Sequence, residues 1–216
     1  MLVISFVTTK GGAGKSTLAF STGVAAMQAG QSVAILDLDP QNSAVFWSKA
    51  RKRADIFVES LEFNAVANRI AELSAAGFSL CILDTPGSGA IAEPAVLASH
   101  VCLIPARPNV FDLVAGETTR RMIRDMGKTG VFLLNQCPPM RQSARVQDGV
   151  HALEASGVLI SPVISARVDF QDAARAGLGV TELNPSGAAA QEIRDLWASI
   201  QKLAIPEAPG DLAQAA

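Results

Sequence analysis

Apolar positions follow two alternating rhythms along the chain. Short, nearly unbroken apolar runs occupy Val3–Val7, Ser32–Leu36, Ser79–Leu83, Val101–Pro105 and Val131–Leu134. Runs of that kind suit strands of a parallel sheet covered on both faces. Between them the period is helical, over Ser16–Ala29, Ser43–Arg53, Phe63–Ala76, Asp112–Met126 and Ser143–Ser156. After Val158–Ile164 come a helical turn near Phe170–Ala176 and a last helix over Ser186–Leu203. Gly30, Gly77, Gly127 and Gly157 fall just past helix ends, where left-handed backbone favours glycine. Alternation of strand and helix predicts βαβ crossovers. The fold class is α/β: a doubly wound, mostly parallel sheet with helices on both faces.

The length of 216 residues fits one domain over 1–205, with a small, polar, Pro/Gly-bearing tail at 206–216 that is expected to fray. Hydrophobic residues make up 49% of the chain, which excludes wholesale disorder. No apolar run approaches the roughly 18 residues of a membrane span, and MLVISFVTTK lacks the basic start of a signal peptide. Cys81, Cys102 and Cys137 are odd in number and far apart, which argues against a disulfide framework or a metal cluster, and Cys81 and Cys102, inside apolar runs, read as buried thiols. A reduced, cytoplasmic protein is expected. The net charge of −2 hides an uneven distribution, with basic excess in 1–53 and 107–145 and acidic excess elsewhere. A polyanion could meet one face of such a molecule.

The strongest chemical signal is Thr8-Thr9-Lys10-Gly11-Gly12-Ala13-Gly14-Lys15-Ser16-Thr17, set between a predicted strand and a predicted helix. Glycines allow successive backbone N–H groups to face one concavity, and a helix N-terminus adds partial positive charge there. In a phosphate loop of this kind Gly11, Gly12, Ala13, Gly14 and Thr17 form the cradle. Lys15 reaches the β/γ-phosphates and the Ser16 hydroxyl ligates Mg²⁺. A dinucleotide-binding turn is disfavoured because no third glycine follows at the required spacing. Two further apolar runs end in acids, Leu36-Asp37-Leu38-Asp39-Pro40-Gln41 and Ile82-Leu83-Asp84-Thr85-Pro86. Acids emerging from buried strands are costly without a cation nearby.

The glycine motif departs from the ordinary Walker A, with Thr9 where a glycine would stand and an extra lysine at Lys10. KGGAGKS resembles the deviant Walker A of the ParA/MinD superfamily. DLDPQ resembles that family's DxDPQ segment, and LDTP its Walker B and switch II. Arg167…Ala174…Gly177…Val180-Thr181-Glu182 is similar to the closing pattern of small partition ATPases. The resemblance implies an ATP hydrolase using ATP and Mg²⁺. It implies a homodimer formed on ATP, in which Lys10 reaches the partner's phosphates, and an Asp39 that orients the attacking water. Asp84 is then the Walker B carboxylate that holds Mg²⁺ through a water. Asp37 either helps arrange the Mg²⁺ surroundings or caps a loop or helix. Asn135 corresponds to a residue that reads the purine base, and is equally readable as a cap; Pro162 and Met140 are further candidates for the base pocket.

Two basic clusters, Lys49–Arg53 and Arg120, Arg121, Arg124 with Lys128, Arg141 and Arg145, read either as solvated helix faces or as a surface for nonspecific DNA binding. Arg167 resembles an arginine near the family's DNA-facing region. The tail PEAPGDLAQAA has no Lys or Arg, unlike the basic amphipathic helix of the family's membrane branch. The expected protein is therefore a small partition ATPase, associated with the nucleoid when ATP-bound. It would segregate plasmid or chromosome DNA with a ParB-like centromere-binding partner. The alternatives are the same mechanism positioning a protein body through a cargo adaptor, or a metabolic ATP-dependent ligase of the same superfamily.

Overall fold

The computed structural model describes residues 1–87, 92–138, 144–154 and 158–204. The expected tail at 206–216, Gly157, Met140 and Arg141 lie outside them. Six strands pair among the described residues: β1 (Leu2–Phe6), β2 (Val33–Asp37), β3 (Phe57–Ser60), β4 (Leu80–Asp84), β5 (Val101–Ala106) and β6 (Gly130–Leu134). All pairings are parallel, in the order β3-β2-β4-β1-β5-β6. The helices are α1 (Lys15–Gln28), α2 (Ser43–Arg51), α3 (Val66–Ala75), α4 (Glu93–Ala98), α5 (Val110–Asp125), α6 (Ala144–Glu154), α7 (Val168–Arg175), α8 (Val180–Leu183) and α9 (Ala188–Ala204). The α/β doubly wound reading holds, with a wholly parallel sheet in place of a mostly parallel one.

Because side chains alternate along a strand, each strand serves two cores. Ile4, Phe6, Ile35, Ile82, Leu103 and Leu133 face one side, against α1, α2 and the α7–α9 segment. On the opposite face Ala34, Leu36, Cys81 and Leu83 pack on α3 and α4. Cys102, Ile104, Phe132 and Leu134 pack on α5 and α6. All three cysteines are buried thiols. Gly30, Gly77 and Gly127 follow α1, α3 and α5 with positive φ, as expected.

Strand β3 and the short helices α4 and α8 are not evident in the sequence pattern. Phe57–Ser60 is a four-residue edge strand that is half-buried or exposed throughout, so it has no continuous apolar run to mark it. The stretch after α6 runs beside β6: Phe132 N–H donates to Val158 O (2.7 Å), Ile160 N–H to Phe132 O (2.8 Å) and Ile164 N–H to Leu134 O (2.8 Å). This brings Ser165–Arg167 alongside the residues that follow β6.

Parallel pairing puts the carboxyl ends of all strands on one edge, where open α/β sheets carry their sites. Phe6 pairs with Asp84, and Asp84 with Asp37. The glycine loop and both strand-ending acids therefore meet by register alone.

Candidate functional site

Gly12 and Gly14 adopt φ of 74° and 90°, which lets the loop curl tightly before α1 begins at Lys15. Lys15 is only 6% exposed, and its Nζ lies 3.4 Å from the carbonyl of Lys10. Burial pushes the ammonium pKa down, while Asp84 and Asp39 pull it back up. Gly87 closes in from the segment after β4: a Cβ there would stand 2.9 Å from Lys15 Nζ and 3.0 Å from Gly11 Cα. Only a glycine leaves this approach open.

Two clefts share Gly14, Thr17 and Ala174 and so join across the loop. The larger, about 770 Å³, is lined by Gly11, Gly12, Gly14, Lys15, Ser16 and Thr17, with Asp39 and Gly87 among the rest. The smaller, about 540 Å³, is lined by Asn135, Gln136, Arg167, Val168, Phe170 and neighbours. Ala13 is buried behind the loop. A cleft of two lobes, one polar and glycine-lined, one carrying apolar side chains, fits a nucleotide with its phosphates at the glycines.

Asp84 is fully buried and neither carboxyl oxygen has a hydrogen-bond partner. Burial pushes its pKa up to about 7, with the Asp37 and Asp39 charges adding to the rise and Ser16 and Lys15 opposing it. Buried carboxylates without partners are rare because the desolvation penalty is large. A divalent cation held between Asp84 and the Ser16 hydroxyl satisfies it, so these residues fit Mg²⁺. The raised folded pKa means the native state holds this proton more tightly than the unfolded chain. Stability therefore falls as pH rises from the unfolded value near 4 to about 7, and the penalty is complete above that. In EDTA, Asp84→Asn is expected to melt higher than wild type at pH 8, by about 2–4 kcal/mol at most, with the difference closing near pH 4. A variant that melts lower at pH 8 would show the carboxylate is already compensated.

Asp37 makes the capping bonds of its second sequence reading. Its Oδ2 accepts from the Ala44 and Val45 N–H groups (2.8 and 3.2 Å), and Oδ1 from the Asp39 N–H (3.1 Å). It is the N-terminal cap of α2, supplied from β2 in place of Asn42, whose side chain makes no capping bond. With backbone donors on both oxygens, Asp37 orders the Asp39 turn, and its charge also bears on the neighbouring Asp84. Asp39 itself is half-buried on the larger cleft, with Oδ1 accepting from Gln41 N–H (2.9 Å). Lys10 is exposed and lines neither cleft.

Asn135 is buried, and its Nδ2 donates to the Ala13 carbonyl (2.7 Å). The structure thus gives it a bond to the loop as well as a place on the smaller cleft. Gln136, the next residue, donates from Nε2 to the Gly12 carbonyl (2.8 Å). No local pattern marks it; its left-handed backbone (φ 53°) is visible only in the structure. Pro162 does not line the smaller cleft. Arg167 does, and it pairs with the buried Glu192 (3.2 Å), which also accepts from Ser165 N–H and Oγ.

The Lys49–Arg53 cluster divides. Arg51 is 4% exposed and lies in an ion network with Asp55 and Glu182 at 2.7 Å each, which Arg53 joins at 3.0 Å. It ties α2 to α8 and is not available to a polyanion, while Lys49, Lys52 and Arg53 stay exposed. Arg120 pairs with Glu117 and the half-buried Lys128 donates to Ser99 O, leaving Arg121 and Arg124 as the more exposed cations of the second cluster. The Arg145 side chain, like Arg141, lies outside what is described.

Fold and site together place the chain among P-loop nucleotide-binding proteins. It belongs to the CobQ/CobB/MinD/ParA nucleotide binding domain family, whose model matches residues 4–180. It is 30% identical over 186 residues to the maintenance of carboxysome distribution protein A of Gloeobacter kilaueensis, covering 83% of this chain and 84% of that one. A protein ParA of Rhizobium radiobacter is 27% identical over 128 residues, 58% of this chain and 57% of that protein. Among solved structures, the MinC:MinD cell division complex of Aquifex aeolicus superposes with a TM-score of 0.80 at 19% identity, covering 95% of this chain and 98% of that one. That likeness speaks to fold.

Proposed function

We propose that the protein is a Mg²⁺-dependent ATPase that dimerises on ATP, binds DNA without sequence preference in that state, and releases it on hydrolysis. The orphaned Asp84 carboxylate between Lys15, Ser16 and Asp39 carries this reading: it is a cation site built against a phosphate loop. Bound Mg²⁺ supplies charge neutralisation on the phosphates, the main electrostatic demand of phosphoryl transfer. Lys15 adds a fixed positive charge from within the loop, and Ser16 and Asp84 hold the metal. Asp39, free to present its second oxygen to the cleft, orients the attacking water. Glycine N–H groups bind the oxygens, and the close approach of Gly87 keeps room for the Lys15 ammonium beside the loop.

Plasmid or chromosome DNA, moved through a ParB-like partner, is the first cargo reading, in keeping with the ParA relative. The longer likeness to a carboxysome distribution protein supports a second, a protein body positioned on the nucleoid through an adaptor. Among the described residues no helix is long and apolar enough to cross a membrane. ATPase turnover measured with duplex DNA and with the product of the neighbouring gene separates the cargo readings, since a centromere-binding partner stimulates only in the first.

Lys10 is exposed and outside its own clefts, as a residue acting across a dimer should be. Lys10→Ala is expected to bind ATP within about threefold of wild type, while ATP-dependent dimerisation is lost and turnover falls at least about a hundredfold. Sedimentation velocity with and without ATP reads this directly. A dimer shift equal to wild type would remove Lys10 from the interface.

A further inference from the structure

Asn135 and Gln136 follow β6 and reach back across more than a hundred residues to successive carbonyls of the glycine loop. The peptide unit is planar and trans, so a carbonyl and the next residue's N–H point in opposite directions. Drawing the Gly12 carbonyl toward Gln136 therefore turns the Ala13 N–H away from it. Drawing the Ala13 carbonyl toward Asn135 does the same for the Gly14 N–H. Carbonyl oxygens repel phosphate oxygens, so each one engaged from the β6 side is removed from the anion's path and an N–H is left to face it. Two features show that the contact is built. A Cβ on Gly14 would overlap the Asn135 amide nitrogen, so the loop keeps room for that side chain. Gln136 adopts φ 53°, a conformation that residues other than glycine seldom take and that clusters at functional sites.

We propose that Asn135 and Gln136 form a double amide latch that positions the phosphate cradle, and that Asn135 acts on the phosphates through the loop rather than chiefly by reading the base. The inference rests on the nucleotide-binding reading above. It differs from a base-reading role in what it predicts for a ligand with no base. Inorganic tripolyphosphate with Mg²⁺ is that probe, compared with ATP and GTP by calorimetry on the full chain.

Wild type is expected to bind tripolyphosphate as well as ATP. Asn135→Ala, which removes a buried bond, should weaken both by the same factor, about tenfold. Gln136→Met, which removes an exposed one, should weaken both about threefold. The ATP:GTP preference should not change in either variant. Gln136 is exposed, so its variant keeps the test decisive if Asn135→Ala fails to fold. An ATP affinity that falls while tripolyphosphate binding is untouched, with loss of the ATP:GTP preference, overturns the latch in favour of base reading. Wild type that takes ATP but not tripolyphosphate also overturns it, because a loop held ready should capture the anion alone. Wild type that binds neither refutes the nucleotide reading and the latch together.

Discussion

Lys15→Ala is expected to lose ATP binding by at least about a hundredfold, or ~3 kcal/mol, the upper end for one charge-assisted contact from a nearly buried ammonium. The side chain is nearly buried at the first turn of α1, where its ammonium and the glycine N–H groups face the same cleft. Burial holds its pKa below the usual lysine value, with Asp84 and Asp39 offsetting only part of the drop, so it sits in a medium that strengthens its hold on an anion. Alanine removes the cation whose charge offsets Asp84, and a phosphate entering the cleft then meets Asp39 with no ammonium at the base of the loop. Calorimetric titration with Mg-ATP measures the effect. Tight binding retained by the variant would mean that the loop is not a phosphate site.

At Asp39, binding and chemistry should separate. Asp39→Ala removes a carboxylate at the rim of the cleft but none of the loop's donors, and the capping of α2 is done by Asp37. ATP and Mg²⁺ should bind as in wild type, while hydrolysis falls about a hundredfold or more, the usual worth of a group that orients a nucleophile. The ATP dimer then accumulates and stays on DNA, with retention falling steeply as salt rises because the contacts are to phosphates. Gel filtration with ATP, followed by DNA co-elution across a salt series, reads both steps. A variant that hydrolyses at the normal rate is incompatible with the role given to Asp39. One that dimerises yet ignores DNA at low salt keeps the ATPase and loses the DNA reading.

Five of the six described strands, most helices and the phosphate loop are legible in the sequence because each is written in adjacent residues: an apolar run, a 3.6-residue period, a spacing of glycines and lysines. Strand β3 is not, since Phe57–Ser60 relies on pairing with β2 rather than on burial of its own. The same limit governs side chains. Asp37 reads as a metal-site acid or a cap, and the α2 N–H groups that it caps are seen only in the fold. Arg51 reads as one of five exposed residues in a basic run, yet its partner Glu182 is 131 residues away. Gln136 carries no local signal, because its meaning lies in a carbonyl 124 residues earlier. What long-range packing decides, local pattern cannot carry.

Hydrolysis of Mg-ATP in this cleft, and its coupling to DNA, is the central step of the proposed function. Phosphate release by the wild-type protein, measured with Mg-ATP in the presence and absence of nonspecific duplex DNA, tests it most directly. Slow release that accelerates with DNA and stops when Mg²⁺ is chelated is the predicted result. ATP bound tightly with no phosphate released under either condition, even with the neighbouring gene's product added, would contradict it.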